Sequence, residues 1–143
     1  MSTYQHILVG LDLTQDESQT VINKATNLAR DNGAKLSVVH VIEPLTFAYA
    51  GDIPVDLSAT QLAMQEHSEK QLLSFATSIA YPLTLSKVVI GQTASEMRQL
   101  ADEIGADLIA VGSHGRHGLA LLLGSTASDL IHGAKCDVLA IRV

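Results

Sequence analysis

Four of the ten glycines in this chain, Gly112, Gly115, Gly118 and Gly124, fall within one stretch, LIAVGSHGRHGLALLLGSTASDLI from Leu108 to Ile131. An apolar run, Leu108 to Val111, breaks into a polar glycine loop, and an amphipathic segment follows. Strand, glycine loop and helix start, in that order, is an arrangement that holds anions. Glycine lets backbone approach a phosphate and turn with positive φ. The first N–H groups of a helix have no intrahelical acceptor and meet the negative charge. Ser125 and Thr126 fall where those N–H groups belong. The spacing therefore predicts a cradle for the phosphates of a nucleotide. A plainer reading stands beside it, in which Gly112 ends a strand and Ser125 or Thr126 caps a helix.

Other chemistry in the same stretch is weaker. His114 and His117 are three residues apart, and a zinc site needs further ligands held in place. Ser113 and His114 are sequence neighbours with no acid to orient the imidazole, so nucleophilic catalysis is not expected. No Gly-x-x-x-x-Gly-Lys-[Ser/Thr] occurs in the chain. Outside the loop, His40 reads as a packed or hydrogen-bonded core histidine, and Cys136 as a small buried hydrophobe.

The elements that must position the loop follow from periodicity. Ile7–Leu11 is a short apolar run with Asp12 just beyond it. Thr14 and Glu17 have capping-box spacing, and Val21, Ile22, Ala25, Leu28 and Ala29 form a helical stripe that Asn32-Gly33 ends. Leu36–Ile42 is β-branched and strand-like. Residues 46–56 show no period and read as a loop. Ser58 and Gln61 repeat the capping spacing ahead of a helix running to about Ala80, with Leu72, Phe75, Ala76 and Ile79 on one face. Leu83–Ile90 is a third strand whose Thr84, Ser86 and Lys87 suit a sheet edge. Thr93 and Glu96 make another capping box, with Met97, Leu100, Ala101 and Ile104 inward and Gly105 as the stop. After Leu108–Val111, a last helix from about Thr126 to His132 turns Leu130 and Ile131 inward, and Asp137–Val143 is the fifth strand. Strands alternating with helices predict an α/β fold with an open, doubly wound parallel sheet. In such sheets ligands sit beyond the carboxyl ends of strands where strand order reverses. With strands one and four adjacent there, Asp12 and Gly112 face one crevice.

At 143 residues the length predicts a single domain over 1–143. A core built almost without aromatics must rest on Val, Leu, Ile and Ala. A net charge of −6 argues against a nucleic-acid footprint or a polybasic membrane anchor. Backbone N–H groups can still hold a small anion. One cysteine, no leader-like N-terminus and no membrane-length apolar run make a cytoplasmic protein the expectation. The apolar run Leu119–Leu123 and a last strand at a sheet edge both call for a cover.

Taken together, Tyr4-Gln-His-Ile-Leu-Val-Gly-Leu-Asp12, Leu36–Ile42, Val111-Gly-Ser-His-Gly-Arg116, Leu123-Gly-Ser-Thr126 and Cys136–Arg142 resemble the universal stress protein family over essentially the whole chain. The resemblance implies a five-stranded parallel sheet of Rossmann-like, adenine nucleotide alpha hydrolase-like topology with strand order 3-2-1-4-5. It implies a stress-response role without a defined metabolic reaction, with an unidentified protein partner, and a homodimer joined through Val138–Val143. One class of the family binds ATP through Gly-x-x-Gly, nine residues, then Gly-Ser or Gly-Thr. Here Gly112–Gly115 and Gly124-Ser125 match the two ends, with eight residues, Arg116 to Leu123, between them. Carried over by position, Asp12 contacts the nucleoside and Val41 offers backbone groups to adenine. Val111, Gly112, Gly115, Gly124, Ser125 and Thr126 contact ribose and phosphates, and Arg116 adds charge near a terminal phosphate. ATP, ADP or AMP is the implied ligand, with Mg²⁺ or Mn²⁺ held through the phosphates. No catalytic residue is implied and an enzyme is not expected; slow hydrolysis or self-phosphorylation is the upper limit, with Ser125 and Ser128 as candidate acceptors that helix capping explains more simply. The alternative is a dimeric interaction protein of the non-nucleotide-binding class with a vestigial site.

Overall fold

The computed structural model describes residues 3–13, 15–43, 57–113 and 125–143, with backbone alone at Gln15, Leu57, Ser58 and Ser125. Its elements are β1 (His6–Gly10), α1 (Gln15–Asn32), β2 (Lys35–Ile42), α2 (Leu57–Thr77), β3 (Leu83–Ile90), α3 (Thr93–Ile104), β4 (Leu108–Gly112), α4 (Ser125–Gly133) and β5 (Asp137–Ile141). The strands form one parallel sheet in the order β3-β2-β1-β4-β5. The chain winds from β1 outward through β2 to β3, then returns to the other side of β1 for β4 and β5. Strand order reverses between β1 and β4.

Strand periodicity sends alternate side chains to opposite faces. Ile7 and Val9 join Leu36, Val38, Leu108 and Ala110 against Val21, Ile22, Ala25 and Ala29 of α1 and Leu72 of α2. Leu8 joins Val39, Ile109 and Val111 against Met97, Leu100 and Ala101 of α3 and Ala127 and Leu130 of α4. Two half-cores sandwich the sheet, so β1 and β4 are buried on both faces and read as unbroken apolar runs. β3 lies at one edge, where its polar residues are tolerated. At the amino end of the sheet, Asp107 accepts from the N–H groups of Gln5 and His6, pinning β1 to the turn before β4.

Several boundaries and faces differ from the sequence expectations. α2 stops at Thr77 rather than near Ala80. Thr77 Oγ1 and Ser78 Oγ donate to the carbonyls of Ser74 and Phe75, and the N–H groups of Ser78 and Ile79 tighten to bonds three residues back. Such local side-chain bonds compete with helix continuation. α2 is already helical at Leu57, so Ser58 lies inside it rather than at the cap. α3 is capped by Gln92, whose side-chain oxygen accepts from Ser95 N at 2.8 Å; Thr93 is the first helical residue and its hydroxyl donates to Glu43 instead. In α4, Leu130 is fully buried, but Ile131, one residue and about 100° further round the helix, is 48% exposed. Thr14, residues 46–56 and Leu119–Leu123 lie outside the described residues.

Candidate functional site

A cavity of about 440 Å³ opens at the carboxyl ends of β1, β2 and β4, where the strand order reverses. That volume falls in the range of small-molecule sites. Five of the residues singled out from the sequence line it: Asp12, Val41, Val111, Gly112 and Thr126. They come from four separate parts of the chain. Ser125 begins α4 at the same end. Gly115, Arg116 and Gly124 lie outside the described residues.

Each lining residue is set by its element. Asp12 follows β1 in a turn where Leu13 has a φ of 64°, a left-handed conformation that costs a non-glycine residue about 1 kcal/mol or more. The carboxylate oxygen Oδ1 of Asp12 accepts from Ser18 Oγ at 3.1 Å. In β2 the Val39 carbonyl accepts from Leu11 N at 2.9 Å, facing β1. Backbone groups two residues apart point the same way, so the N–H and C=O of Val41 face the crevice just past the end of β1. These are the groups that would pair with the edge of a planar heterocycle. Val111 closes the wall on the α3–α4 side. Thr126 and Ala127, in the first turn of α4, bring a helix N-terminus to the opposite wall.

Gly112 is informative because nothing among the described residues requires a glycine there. It is not among the glycines with positive φ, and a Cβ there would meet Val143 and Val21 only at 3.5 Å, an ordinary contact. Gly10 is different: a Cβ there would lie 2.5 Å from Met97 Cε, so it serves the packing of α3 on β1.

The charge in the cavity is uneven. Asp12, Glu17 and Glu43 line it, and among the described lining residues there is no Lys or Arg. Glu43 Oε1 accepts from Thr93 Oγ1 at 2.8 Å, which ties the exit of β2 to the start of α3 at the cavity rim. An anionic ligand group is therefore favoured at the α4 end, and hydrogen-bond donors of the ligand at the Asp12 end. An adjoining cavity of about 410 Å³ shares Asp12, Glu17, His40 and Ser68 and continues toward His67 and Gln71 of α2.

The sequence reading missed Ser18, Glu17, Glu43 and the second role of His40. Ser18 carried a signal, since it occupies the inward stripe of α1 together with Val21, Ile22 and Ala25 and is 1% exposed. His40 is a hydrogen-bonded core histidine as expected, with Nδ1 donating to the Leu11 carbonyl at 2.7 Å, yet it also lines both cavities. Cys136 is half-buried before β5, and burial pushes its thiol pKa up, as suits an inert packed sulfur.

The profile of the universal stress protein family matches residues 3–142. The chain is 39% identical to universal stress protein A homolog 1 of Coxiella burnetii, over 96% of each chain. Among solved structures, a universal stress protein from Lactobacillus plantarum superposes with a TM-score of 0.77 at 25% identity, covering 99% of this chain and all of the other. A universal stress protein solved in complex with cAMP superposes at 0.64 with 27% identity, covering 99% of this chain and 98% of the other. With the five-stranded topology and crevice already in place, these matches show that the chain belongs to the universal stress protein family.

Proposed function

We propose that this chain binds an adenine nucleotide, ATP in the first instance, in the cavity beyond β1, β2 and β4, and works as a cytoplasmic stress-response regulator. The observation that carries the reading is the meeting of Asp12, Val41, Val111, Gly112 and Thr126 around one cavity of nucleotide size at the strand-order reversal. The unforced glycine at 112 fits a close-approaching ligand. The uneven charge sets its polarity, with phosphates toward the first turn of α4 and the glycine loop, and the nucleoside toward Asp12 and Val41. Gly115, Gly124, Ser125 and Arg116 complete the phosphate end in this reading. A related structure holds cAMP, an adenine nucleotide. Mg²⁺ or Mn²⁺ would come with the nucleotide, held through its phosphates. The nucleotide acts as a regulatory ligand that biases a conformation read by a protein partner. At most it is hydrolysed slowly.

The shortened spacer between Gly115 and Gly124 favours a second reading, a dimeric interaction protein with a vestigial site. Thermal unfolding with Mg·ATP separates the two. ATP at about 100-fold its Kd adds about 2.7 kcal/mol of stability, and Gly115→Val abolishes that gain while leaving the unliganded transition in place. No shift at millimolar ATP establishes the second reading instead.

A further inference from the structure

The turn that presents Asp12 is held by bonds that the nucleotide reading does not itself require. Leu11, the residue before Asp12, has both backbone groups tied to consecutive residues of β2. Its N–H donates to the Val39 carbonyl at 2.9 Å, and its carbonyl accepts from His40 Nδ1 at 2.7 Å. A carbonyl only accepts, so Nδ1 carries the proton. On the other side of the turn, Ser18 Oγ donates to Asp12 Oδ1 at 3.1 Å. Between these holds lies Leu13, in its left-handed conformation. His40 is 7% exposed and Ser18 1%, so bulk water offers little competition for either bond. The imidazole places a donor on the Leu11 carbonyl that an aliphatic side chain at this strand position would lack.

We propose that His40 is a positioning residue for nucleotide recognition. Through the Leu11 carbonyl it holds the β1–α1 turn so that the Asp12 carboxylate faces the hydrogen-bond donors of the bound nucleoside, and Ser18 orients the same carboxylate from α1. The inference rests on the nucleotide reading of the cavity. Without the imidazole N–H, the Leu11 carbonyl loses its partner and the left-handed turn relaxes. Asp12 then samples orientations that do not meet the ligand, and the loss appears as affinity.

The test is a set of double-mutant cycles read as the Kd for Mg·ATP by calorimetry. His40→Leu removes the donor, His40→Asn keeps an N–H where Nδ1 stands, and Ser18→Ala removes the second hold. Each is measured alone and with Asp12→Ala. His40→Leu is expected to weaken binding about tenfold, as for one lost buried hydrogen bond, His40→Asn to restore most of it, and His40→Leu and Ser18→Ala each to add nothing once Asp12 is alanine. Equal losses with and without Asp12, or no rescue by asparagine, overturn the proposal while leaving the nucleotide reading intact. If circular dichroism shows that His40→Leu does not fold, His40→Gln takes its place, because its amide sits beyond the Nδ1 position. A wild-type chain that binds no adenine nucleotide overturns the nucleotide reading and this inference with it.

Discussion

Gly112 and His6 show how differently two single residues can be tied to this fold. At Gly112 a methyl group meets only ordinary contacts among the described residues, so Gly112→Ala is expected to keep stability within about 1 kcal/mol of the wild type. On the nucleotide reading its effect falls on the ligand, with about a tenfold or greater rise in the Kd for ATP, measured by calorimetry on a variant with an unchanged melting transition. His6, at the opposite end of β1, is buried; its Nδ1 donates to the Ile104 carbonyl at 3.2 Å and its Nε2 accepts from Ser37 Oγ at 2.7 Å. Burial holds its pKa below the ordinary 6.5, with Lys35 nearby acting in the same direction, against the Ile104 carbonyl and Asp107. The unfolded chain therefore takes up a proton below pH 6.5 that the folded imidazole refuses. Stability is complete above that pH, falls as pH drops toward the folded value, and levels off beneath it. One such group contributes a slope of at most about 1.4 kcal/mol per pH unit. Denaturant titrations between pH 7 and pH 5, taken as about two units around the histidine range, should show this component of the slope lost in His6→Gln. Asp12 and Gly112 were readable from the sequence because each sits just past an apolar run. His40 was readable as a hydrogen-bonded core histidine, but its partner was not, nor were the bonds of His6, because a strand histidine looks the same whether it meets water, a hydroxyl or a carbonyl.

Among the elements, α4 matters most for the site because its first turn forms one wall of the cavity. It has only nine residues, too few to be stable alone, and tertiary packing must hold it. Leu130 is its fully buried anchor, with Ala127 beside it. Leu130→Ala is expected to cost about 2–5 kcal/mol, seen as a lowered denaturation midpoint, and to weaken nucleotide binding by loosening the helix start. α3 is closed at its far end by Gly105 at a φ of 71°, where alanine would be strained. Gly105→Ala should lower stability by about 1 kcal/mol without touching the site. Helix stripes and the glycine stop were legible in the sequence, since burial follows the 3.6-residue period. Cap identity was not: Gln92 caps α3 because the Thr93 hydroxyl is drawn to Glu43, fifty positions away in the chain. The inward expectation for Ile131 failed for a related reason: α4 is seated by Leu130 and Ala127 against the sheet, and Ile131, about 100° further round the helix, falls outside that contact.

For the whole molecule, the sheet edge at β5 bears on assembly. Ile141 is buried in the core beneath α1, so a charge there would damage the fold rather than test an interface. Leu139, on the same strand, is 36% exposed, and Ile131 of α4 is exposed as well. We expect a second copy to pair along Val138–Val143, covering the edge. Leu139→Arg should then shift sedimentation from dimer to monomer with the fold retained, and a variant that stays dimeric would move the interface elsewhere. Alternating apolar strands and amphipathic helices determined the α/β class, the five strands and the residues at their ends, because those depend on local periodicity and turn chemistry. The pairing of β1 with β4, implied by the family resemblance through the order 3-2-1-4-5 but not by periodicity, and the gathering of Asp12, Val41, Gly112 and Thr126 around one cavity were decided by the tertiary structure. So were the hold of His40 on Leu11 and the outward turn of Ile131. Each of these depends on which distant segment fills the neighbouring space, and local sequence carries no record of that choice.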